Sequence, residues 1–507
     1  MLQTKHLSIH HLKDLHPLIT DLSISINHGD KVAIIGEEGT GKSTLLKHLY
    51  KPELIQSYTA VEGEVIRQFQ APAYLPQAIA EQDLDLTLSD FIYKDIDYAI
   101  FDFNQLYQLA GTLNFEASRL DNTKQTVRQL SGGEKIKIQL LKLLAQNPDI
   151  LFLDKPSSNL DLESVTWLKG FIKTTPLTLV YISHDEDLLG ATATHIIHLE
   201  QVKKRREAKT TSSAMSYQTY KETREATYIR QGQLANKERE KQAKRTDKLN
   251  RQMSAVRHQL EDTKNSTAGR LLAKKYRTLQ AQEKRFEREA ESFHAIPDEL
   301  DQVNLFFQEV QPLPASSTLI HYDHEVLVTG QNLSFTMRGQ DKVAVIGQNG
   351  IGKSLLLKKI LKDLSRKPKI SLGYMPQNYE DSLVMTETPL QFLAHSASQE
   401  IIRTTLASLQ FTRQEITHTI ADLSGGQKAK LFLCKMVLEK NNVLLLDEPT
   451  RHFSPTSQPE IRKLLKDFPG AILTVSHDRT FINSLCQHVY ELNKSTLLQI
   501  DIEDLLN

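Results

Sequence analysis

Two stretches of this 507-residue chain have the residue types and spacing to hold a polyphosphate together with a divalent cation. An apolar strand runs into the pattern G-x-x-x-x-G-K-[ST] twice, in VAIIGEEGTGKST (32–44) and, with leucine after the serine, in VAVIGQNGIGKSL (343–355). Glycines let backbone N–H groups close around phosphate oxygens, the lysine reaches the β- and γ-phosphates, and the serine hydroxyl can bind Mg²⁺. The candidate binding residues are Gly36, Gly39, Gly41, Lys42, Ser43 and Thr44 in the first stretch and Gly347, Gly350, Gly352, Lys353 and Ser354 in the second.

Further landmarks follow each stretch in the same order, so the chain contains an internal repeat. Ser131 precedes Asp154 by 23 residues, and Ser424 precedes Asp447 by the same 23 residues. In both copies the histidine of a Ser-His-Asp triplet lies 30 residues beyond that aspartate. One Ser-Gly-Gly segment is usually only a loop, but equal spacing in two copies is not expected by chance. The landmarks are Gln77, Ser131, Gly133, Asp154 and His184 in the first copy and Gln377, Ser424, Gly426, Asp447 and His477 in the second.

This ordered set of motifs resembles the ATP-binding-cassette superfamily over most of the chain. The resemblance implies two α/β nucleotide-binding domains in one monomeric chain, paired head to tail as an intramolecular dimer. Each ATP would lie between the phosphate loop of one domain and the Leu-Ser-Gly-Gly segment of the other, where a helix N-terminus suits a γ-phosphate. The groups that would share an ATP are Ser131 and Gly133 with Lys353, and Ser424 and Gly426 with Lys42.

The two copies differ where ATP hydrolysis needs a second carboxylate. In the second copy Asp447 is followed by Glu448, which can orient and polarise water for in-line attack. In the first copy Asp154 is followed by Lys155, which cannot accept a proton while it is charged. We therefore expect hydrolysis at the second site and ATP binding with slow or no hydrolysis at the first. The expected catalytic residues are Glu448, His477 and Gln377, and the expected Mg²⁺ ligands are Ser43, Gln77, Asp154, Ser354, Gln377 and Asp447.

Other side chains near the phosphate loops also bear on how each site would bind and hydrolyse ATP. Glu37 and Glu38 would add negative charge beside a triphosphate, so we expect them to point to solvent. Alternatively, Lys155 turns outward and another group activates water. Stacking on adenine needs an aromatic side chain upstream of each loop, and Tyr322 and His11 are the candidates.

Composition excludes several other classes of protein. Two cysteines, Cys434 and Cys486, cannot form a disulfide framework, which favours a reducing cytoplasm. The first twenty residues are broken by Lys, His and Asp and predict no secretion signal. The sequence contains no apolar run of the roughly 18 residues that a membrane span requires.

The zero net charge hides a basic segment between the two copies. Residues 203–291 contain 24 Lys+Arg against 12 Asp+Glu, so this segment carries +12 and the remainder −12. No proline occurs between Pro176 and Pro297. The segment predicts a helix from Tyr217 to about Asp262, a turn at 263–269 and a second helix to about Glu291. Apolar residues at spacings of 3 and 4, with one polar position at Glu283, predict an antiparallel coiled coil with its tip near 260–270: Leu249, Met253, Val256, Leu260, Leu272, Tyr276, Leu279, Phe286 and Ala290.

Two cassettes joined by a charged helical hairpin resemble the ABC-F family of ribosome-binding ATPases. In that family the dimer closes on ATP in the ribosomal E site, and the hairpin points to P-site tRNA and the peptidyl-transferase centre. The segments DEPTRHFSP (447–455) and GAILTVSHDRTFI (470–482) resemble the Lsa- and Vga-type antibiotic-resistance group. This implies protection of the bacterial 70S ribosome against lincosamides, pleuromutilins and streptogramin A, through contacts with rRNA and P-site tRNA.

Two alternatives stay open at this point. One is a housekeeping ABC-F translation factor that relieves stalled ribosomes, and the other is the tandem ATPase subunit of an ABC importer, which would need membrane partners. The predicted fold is α/β, with two tandem ABC-type nucleotide-binding domains joined by a long antiparallel α-helical hairpin. The predicted domains are 1–205 (first ATPase domain), 206–296 (basic hairpin linker) and 297–507 (second ATPase domain).

Overall fold

The computed structural model describes residues 1–502 except 14, 97, 99, 122, 159, 203–206, 263–265, 292–304, 306 and 308–309. The chain divides into two compact units, one formed by Met1–Tyr217 together with Leu300–Asn507 and the other by Gln218–Glu299. The predicted domain boundaries at 205/206 and 296/297 lie outside the described residues, and the division at those points stays a prediction.

The first cassette is built on a six-stranded sheet in the order β5-β6-β7-β3-β8-β9, in which β9 alone is antiparallel. A three-stranded antiparallel sheet, β2-β1-β4, accompanies it. The strands are β1 (Leu2–His11), β2 (Pro17–Ile26), β3 (Lys31–Gly36), β4 (Thr59–Arg67), β5 (Pro72–Leu75), β6 (Ile150–Leu153), β7 (Thr178–Ile182), β8 (His195–Val202) and β9 (Glu207–Ser213). The helices are α1 (Lys42–Tyr50), α2 (Glu81–Leu84), α3 (Leu88–Tyr93), α4 (Phe103–Thr112), α5 (Gly132–Leu144), α6 (Leu162–Thr174) and α7 (Glu186–Thr192).

Burial explains why β3 lies at the centre of this sheet. Every residue of β3 is buried, as expected for a parallel strand covered on both faces. Leu45 and Leu46 of α1 pack in one cluster with Val32 and Ile34 of β3, which fixes the start of α1 against the strand that precedes it. The strand β9 lies within the segment that the sequence assigned to the linker, yet it pairs with β8, so the first sheet extends to Ser213.

The second unit is the helical hairpin, and its helices have the predicted ends except that the second helix already begins at Ser266, within the turn predicted at 263–269. One helix, α8, runs from Tyr217 to Asp262, and α9 runs from Ser266 to Glu291. At about 1.5 Å per residue, the 46 residues of α8 extend roughly 70 Å. Gln242 Nε2 donates to the Phe286 carbonyl at 2.8 Å, as antiparallel packing requires. The residues of the predicted stripe that pack together are Leu249, Met253, Val256, Leu272, Tyr276, Leu279 and Phe286. Of the tip predicted near 260–270, residues 263–265 lie outside the described residues.

The second cassette repeats the plan of the first, with sheet order β13-β14-β15-β12-β16-β17 and a separate pair β10-β11. Its strands are β10 (Thr318–Val326), β11 (Asn332–Arg338), β12 (Lys342–Ile346), β13 (Leu372–Met375), β14 (Val443–Asp447), β15 (Ala471–Val475), β16 (His488–Leu492) and β17 (Leu497–Ile500). Its helices are α10 (Lys353–Leu364), α11 (Pro389–Leu393), α12 (Gln399–Ser408), α13 (Arg413–Thr417), α14 (Gly425–Leu438), α15 (Gln458–Lys466) and α16 (Arg479–Leu485). Among the described residues, none of the helices combines the length and apolar character needed to cross a bilayer.

Packing within the hairpin predicts a local stability effect. Leu279 is 7% exposed in the small cluster with Leu249 and Val256, whereas Leu271 on the same helix is 67% exposed. Leu279→Ala should lower the free energy of opening the hairpin by about 2–3 kcal/mol, because it removes buried methyl groups and leaves a cavity. Amide hydrogen exchange across the two helices measures this loss of protection. Leu271→Ala is the control, and equal effects of the two variants would contradict the packing described here.

Candidate functional site

Both phosphate loops fold tightly at the carboxyl end of a central strand. Gly36 and Gly347 have φ of 144° and 143°, a conformation that residues with a Cβ rarely adopt. A Cβ at Gly36 would collide with the carbonyl of Leu199, and one at Gly347 would collide with that of Leu492. The loops can therefore turn close beside the neighbouring strand. The other predicted loop glycines also have positive φ: Gly39, Gly41, Gly350 and Gly352.

The two loop lysines begin the helices that follow the loops. Lys42 Nζ donates to the carbonyls of Gly36 (2.8 Å) and Glu37, and Lys353 Nζ donates to that of Gly347 (2.6 Å). Burial, followed by the Lys155 cation, lowers the pKa of Lys42 to about 7. Burial also lowers the pKa of Lys353. A phosphate beside either ammonium group would favour its charged form.

Oxygen donors beside each loop fit a magnesium ion. Ser43 Oγ donates to Asp154 Oδ1 at 3.0 Å, and Ser354 Oγ donates to Asp447 Oδ2 at 2.8 Å. Hydroxyl and carboxylate oxygens are ligands that Mg²⁺ accepts, usually together with water and substrate phosphates. In the part of the chain that the structure describes, no three His, Cys, Asp or Glu side chains form a closed metal site. A Mg²⁺ held here would neutralise phosphate charge and share its coordination with the nucleotide.

The remaining predicted ligands lie at the same edges of the two sheets. Gln77 and Gln377 are exposed just beyond β5 and β13, the strands that pair with β6 and β14. Thr44 is half-buried in the first turn of α1.

Glu448 is positioned for acid–base chemistry at the second site. Its Oε2 accepts from the backbone N–H of His477 at 3.5 Å, and its Oε1 lies 3.7 Å from His477 Nε2. Burial, followed by the neighbouring charge of Asp447, raises the pKa of Glu448 to about 8. Burial and Lys353 lower the pKa of His477 to about 4. A carboxylate that binds a proton near neutral pH suits a general base.

The first site has a different arrangement of charge. Lys155 and Glu448 share the same backbone conformation, with φ of 50° and 53°. Lys155 Nζ lies 3.5 Å from Glu38 Oε1, and both side chains are largely buried. The expectation that Glu38 points to solvent is therefore wrong, because its carboxylate is held by Lys155 and by His452 Nδ1 at 3.2 Å. Although burial opposes it, the hydrogen bond and charge of His452 and the charge of Lys155 keep the pKa of Glu38 well below its usual range.

Glu37 also turns toward the other cassette. Its Oε1 lies 3.9 Å from Lys430 Nζ in α14, and about a third of its side chain is exposed. The expectation that Glu37 points to solvent is thus only partly met.

The Ser-Gly-Gly segments begin the helices α5 and α14, as their sequences predict. Ser131 and Ser424 are the N-caps, with hydroxyls that accept from the N–H groups of Glu134 and Gln427. In return, Glu134 Oε2 and Gln427 Oε1 each accept a hydrogen bond from the backbone N–H of the capping serine, which completes a capping box at each helix.

Contacts between the cassettes bring each segment toward the opposite phosphate loop. At the first site, a Cβ on Gly425 would collide with Glu38 Oε2, so the loop of the first cassette touches the start of α14. The neighbouring Gly426 lies against the carbonyl of His452. At the second site, the Asn349 N–H donates to Asp161 Oδ2 at 3.5 Å. Asp161 caps α6, which packs closely against Gly133 through Ser164.

His184 connects the first site to the second cassette. Its Nδ1 lies 3.1 Å from the Phe453 carbonyl, and its own carbonyl accepts from Gln458 Nε2 at 2.9 Å. Its Nε2 is buried without a hydrogen-bond partner. Burial and the Lys42 charge hold the pKa of His184 well below its usual range, which keeps the ring neutral.

Some residues of this site could not be found from the sequence, and one candidate is misplaced. Several side chains contact the opposite cassette, and the sequence predicted only that the two domains pair. These side chains are His452, Asp161, Gln458 and the buried Arg462–Glu186 ion pair at 2.8 Å. Tyr322 is wrong as an adenine-stacking residue: it is 5% exposed and its hydroxyl donates to Asp363 at 2.7 Å. His11 lies at the end of β1, and its assignment stays a prediction.

The fold and these paired loops define a tandem ABC ATP-binding protein. The sequence pattern described as "ABC transporter" matches residues 19–158 and 330–451, about half of the chain. The chain therefore belongs to this family and contains its ATP-binding domain twice.

Several full-length proteins are similar to this chain. It is 28% identical over 493 residues to "Ribosome protection protein VmlR" of Bacillus subtilis, covering 91% of this chain and 81% of the relative. It is 26% identical over 533 residues to "ABC transporter F family member 5" of Arabidopsis thaliana, covering 95% and 73%. The solved structure "RNase-L Inhibitor" matches 98% of this chain and 91% of its own with a TM-score of 0.60 at 15% identity, which shows the shared fold.

Removal of the carboxylate at the second site gives a direct test of its role. Glu448→Gln should lower steady-state ATP turnover at least about 100-fold, because Lys155 offers no substitute base at the first site. Phosphate release by the purified chain measures the change. Glu491→Gln, at an exposed position of β16, is the control and should keep full turnover. If Glu448→Gln retains more than half of the turnover, the assignment of the working site is wrong.

Proposed function

We propose that this chain is an ABC-F-type ATPase that acts on the bacterial 70S ribosome. On ATP binding it would enter the E site and use its hairpin to act on P-site tRNA and the peptidyl-transferase centre. It would thereby protect the ribosome against lincosamides, pleuromutilins and streptogramin A. The observation that carries the proposal is an exposed, strongly basic helical hairpin between two ATP-binding cassettes. A ribosomal partner would also place the protein in the cytoplasm.

The surface of the hairpin is suited to binding a nucleic acid. The Lys and Arg residues of its distal half that the structure describes are exposed, and phosphate neutralisation by such residues needs no base-specific contact. They are Arg245, Lys248, Arg251, Arg257, Arg270, Lys274, Lys275 and Arg277. The similarity to a protein named for ribosome protection supports the same partner.

The cassettes would supply the conformational switch. Glu448 would activate water at the second site, Gln377 and His477 would sense the γ-phosphate there, and the first site would hold nucleotide without rapid turnover. Hydrolysis at the second site would reopen the cassettes and release the ribosome. An importer subunit would have no use for the basic hairpin.

Shortening the hairpin tip should separate ATP turnover from drug protection. Replacing Gln259–Gly269 by a short Gly/Ser turn should leave ATPase activity and ribosome pelleting within about twofold, because the cassettes and the basic faces remain. Drug tolerance of a sensitive bacterium that produces this variant should fall to that of a strain without the protein. If the bacterium keeps full drug tolerance with the shortened tip, the proposed role of the tip in protection is wrong. Ribosome pelleting by the wild type without any drug tolerance would favour the housekeeping translation factor.

Neutralising the basic faces should weaken ribosome binding instead. Combined substitution of Arg251, Arg257, Lys274, Lys275 and Arg277 by Gln should lower ribosome affinity by about tenfold or more and flatten its dependence on salt, because phosphate contacts are lost. Pelleting at several salt concentrations measures both quantities. The matched control substitutes the same number of exposed cations on the cassettes: Lys13, Lys173, Arg366, Lys369 and Lys494. Equal losses in the two variants would count against the hairpin as the RNA-binding surface.

A further inference from the structure

The two phosphate loops differ at one position that faces the opposite cassette. In G-x-x-x-x-G-K-[ST], the third residue is Glu38 in the first loop and Asn349 in the second. The carboxylate of Glu38 lies against Gly425, the first residue of the 14-residue helix α14. At the second site, the equivalent Asn349 contributes a backbone N–H to Asp161.

The start of α14 is where a nucleotide bound by the first loop would meet the second cassette. Backbone N–H groups and the helix dipole at a helix N-terminus attract an anion. The Glu38 carboxylate lies beside this helix start, and it also contacts His452 at 3.2 Å and Lys155 at 3.5 Å. One carboxylate thus connects the first phosphate loop, the residue after Asp154 and two segments of the second cassette.

We propose that the Glu38 carboxylate takes the place of the γ-phosphate at the first site, so that this site binds a nucleoside diphosphate in preference to the triphosphate. A γ-phosphate would bring further negative charge to a position where a carboxylate is already paired and largely buried. The α- and β-phosphates would still be held by the loop N–H groups, Lys42 and the Ser43–Asp154 pair. Only the second site then distinguishes ATP from ADP, and closure of the cassettes responds to a single ATP.

The inference rests on the first loop being a nucleotide site, and it is independent of the ribosome. The full chain carrying Lys353→Ala, which disables the second loop, is titrated with Mg²⁺ plus ADP and with Mg²⁺ plus the β,γ-imido analogue of ATP. Calorimetry should show ADP binding at least about tenfold more tightly than the ATP analogue. In the same background, Glu38→Asn introduces the residue of the second loop and should remove or reverse this preference.

Two further variants test whether the change in nucleotide preference comes from the charge of Glu38. Glu38→Gln keeps the size of the side chain and should act as Glu38→Asn does, with the melting temperature reported for both. Glu62→Gln removes an exposed carboxylate of β4, outside the phosphate loop, and should retain the preference for ADP. The proposal is overturned if the parent binds the ATP analogue as tightly as ADP, if ADP does not bind, or if Glu38→Asn leaves the ratio unchanged.

Discussion

A nucleotide polyphosphate concentrates negative charge that no single segment of a chain can neutralise, and both cassettes are arranged around that demand. Each loop supplies N–H groups and a lysine, and the remaining groups come from the opposite cassette. The strands β6 and β14 lead to the aspartates, Asp154 and Asp447, that accept a hydrogen bond from the loop serine. The contacts of Asn349 with Asp161 and of Glu38 with Gly425 are the consequence. A site built from two domains can report on the distance between them.

The two sites differ in the charged side chains that they place near the nucleotide. At the second, the largely buried carboxylates Asp447 and Glu448 lie beside a loop whose charged side chain is Lys353, and a magnesium ion would add a cation next to them. At the first, the charges of Lys155 and Glu38 balance within the protein itself. Because these two added charges already pair with each other, a third phosphate would find less unbalanced positive charge there. The cavity between the cassettes is lined by residues of both sites, among them Lys155, His184, Gln377, Glu448 and His477, so a change at one is close to the other.

Local sequence predicts much of this architecture because its signals are local. The loop glycines, the capping serines Ser131 and Ser424, and the ends of the hairpin helices at Tyr217, Asp262 and Glu291 all follow from short-range spacing. Contacts between distant segments could not be predicted in the same way. Glu38 and Lys155 are far apart in the sequence, and His452 lies in the other cassette, so an acidic loop residue was expected to prefer solvent. The strand β9 was missed because its sequence, with two Thr and two Ser in seven residues, lacks the apolar alternation of a half-buried strand.

The Lys155–Glu38 pair also constrains how this protein can change by mutation. Lys155→Glu alone would place a new carboxylate beside Asp154 and Glu38, and Glu38→Asn alone would leave Lys155 next to the buried Lys42 without its counter-ion. Each single step passes through an uncompensated buried charge, which is costly. Giving the first site the charges of the second therefore requires two coordinated substitutions, so the charge asymmetry between the two cassettes is not removed by a single mutation.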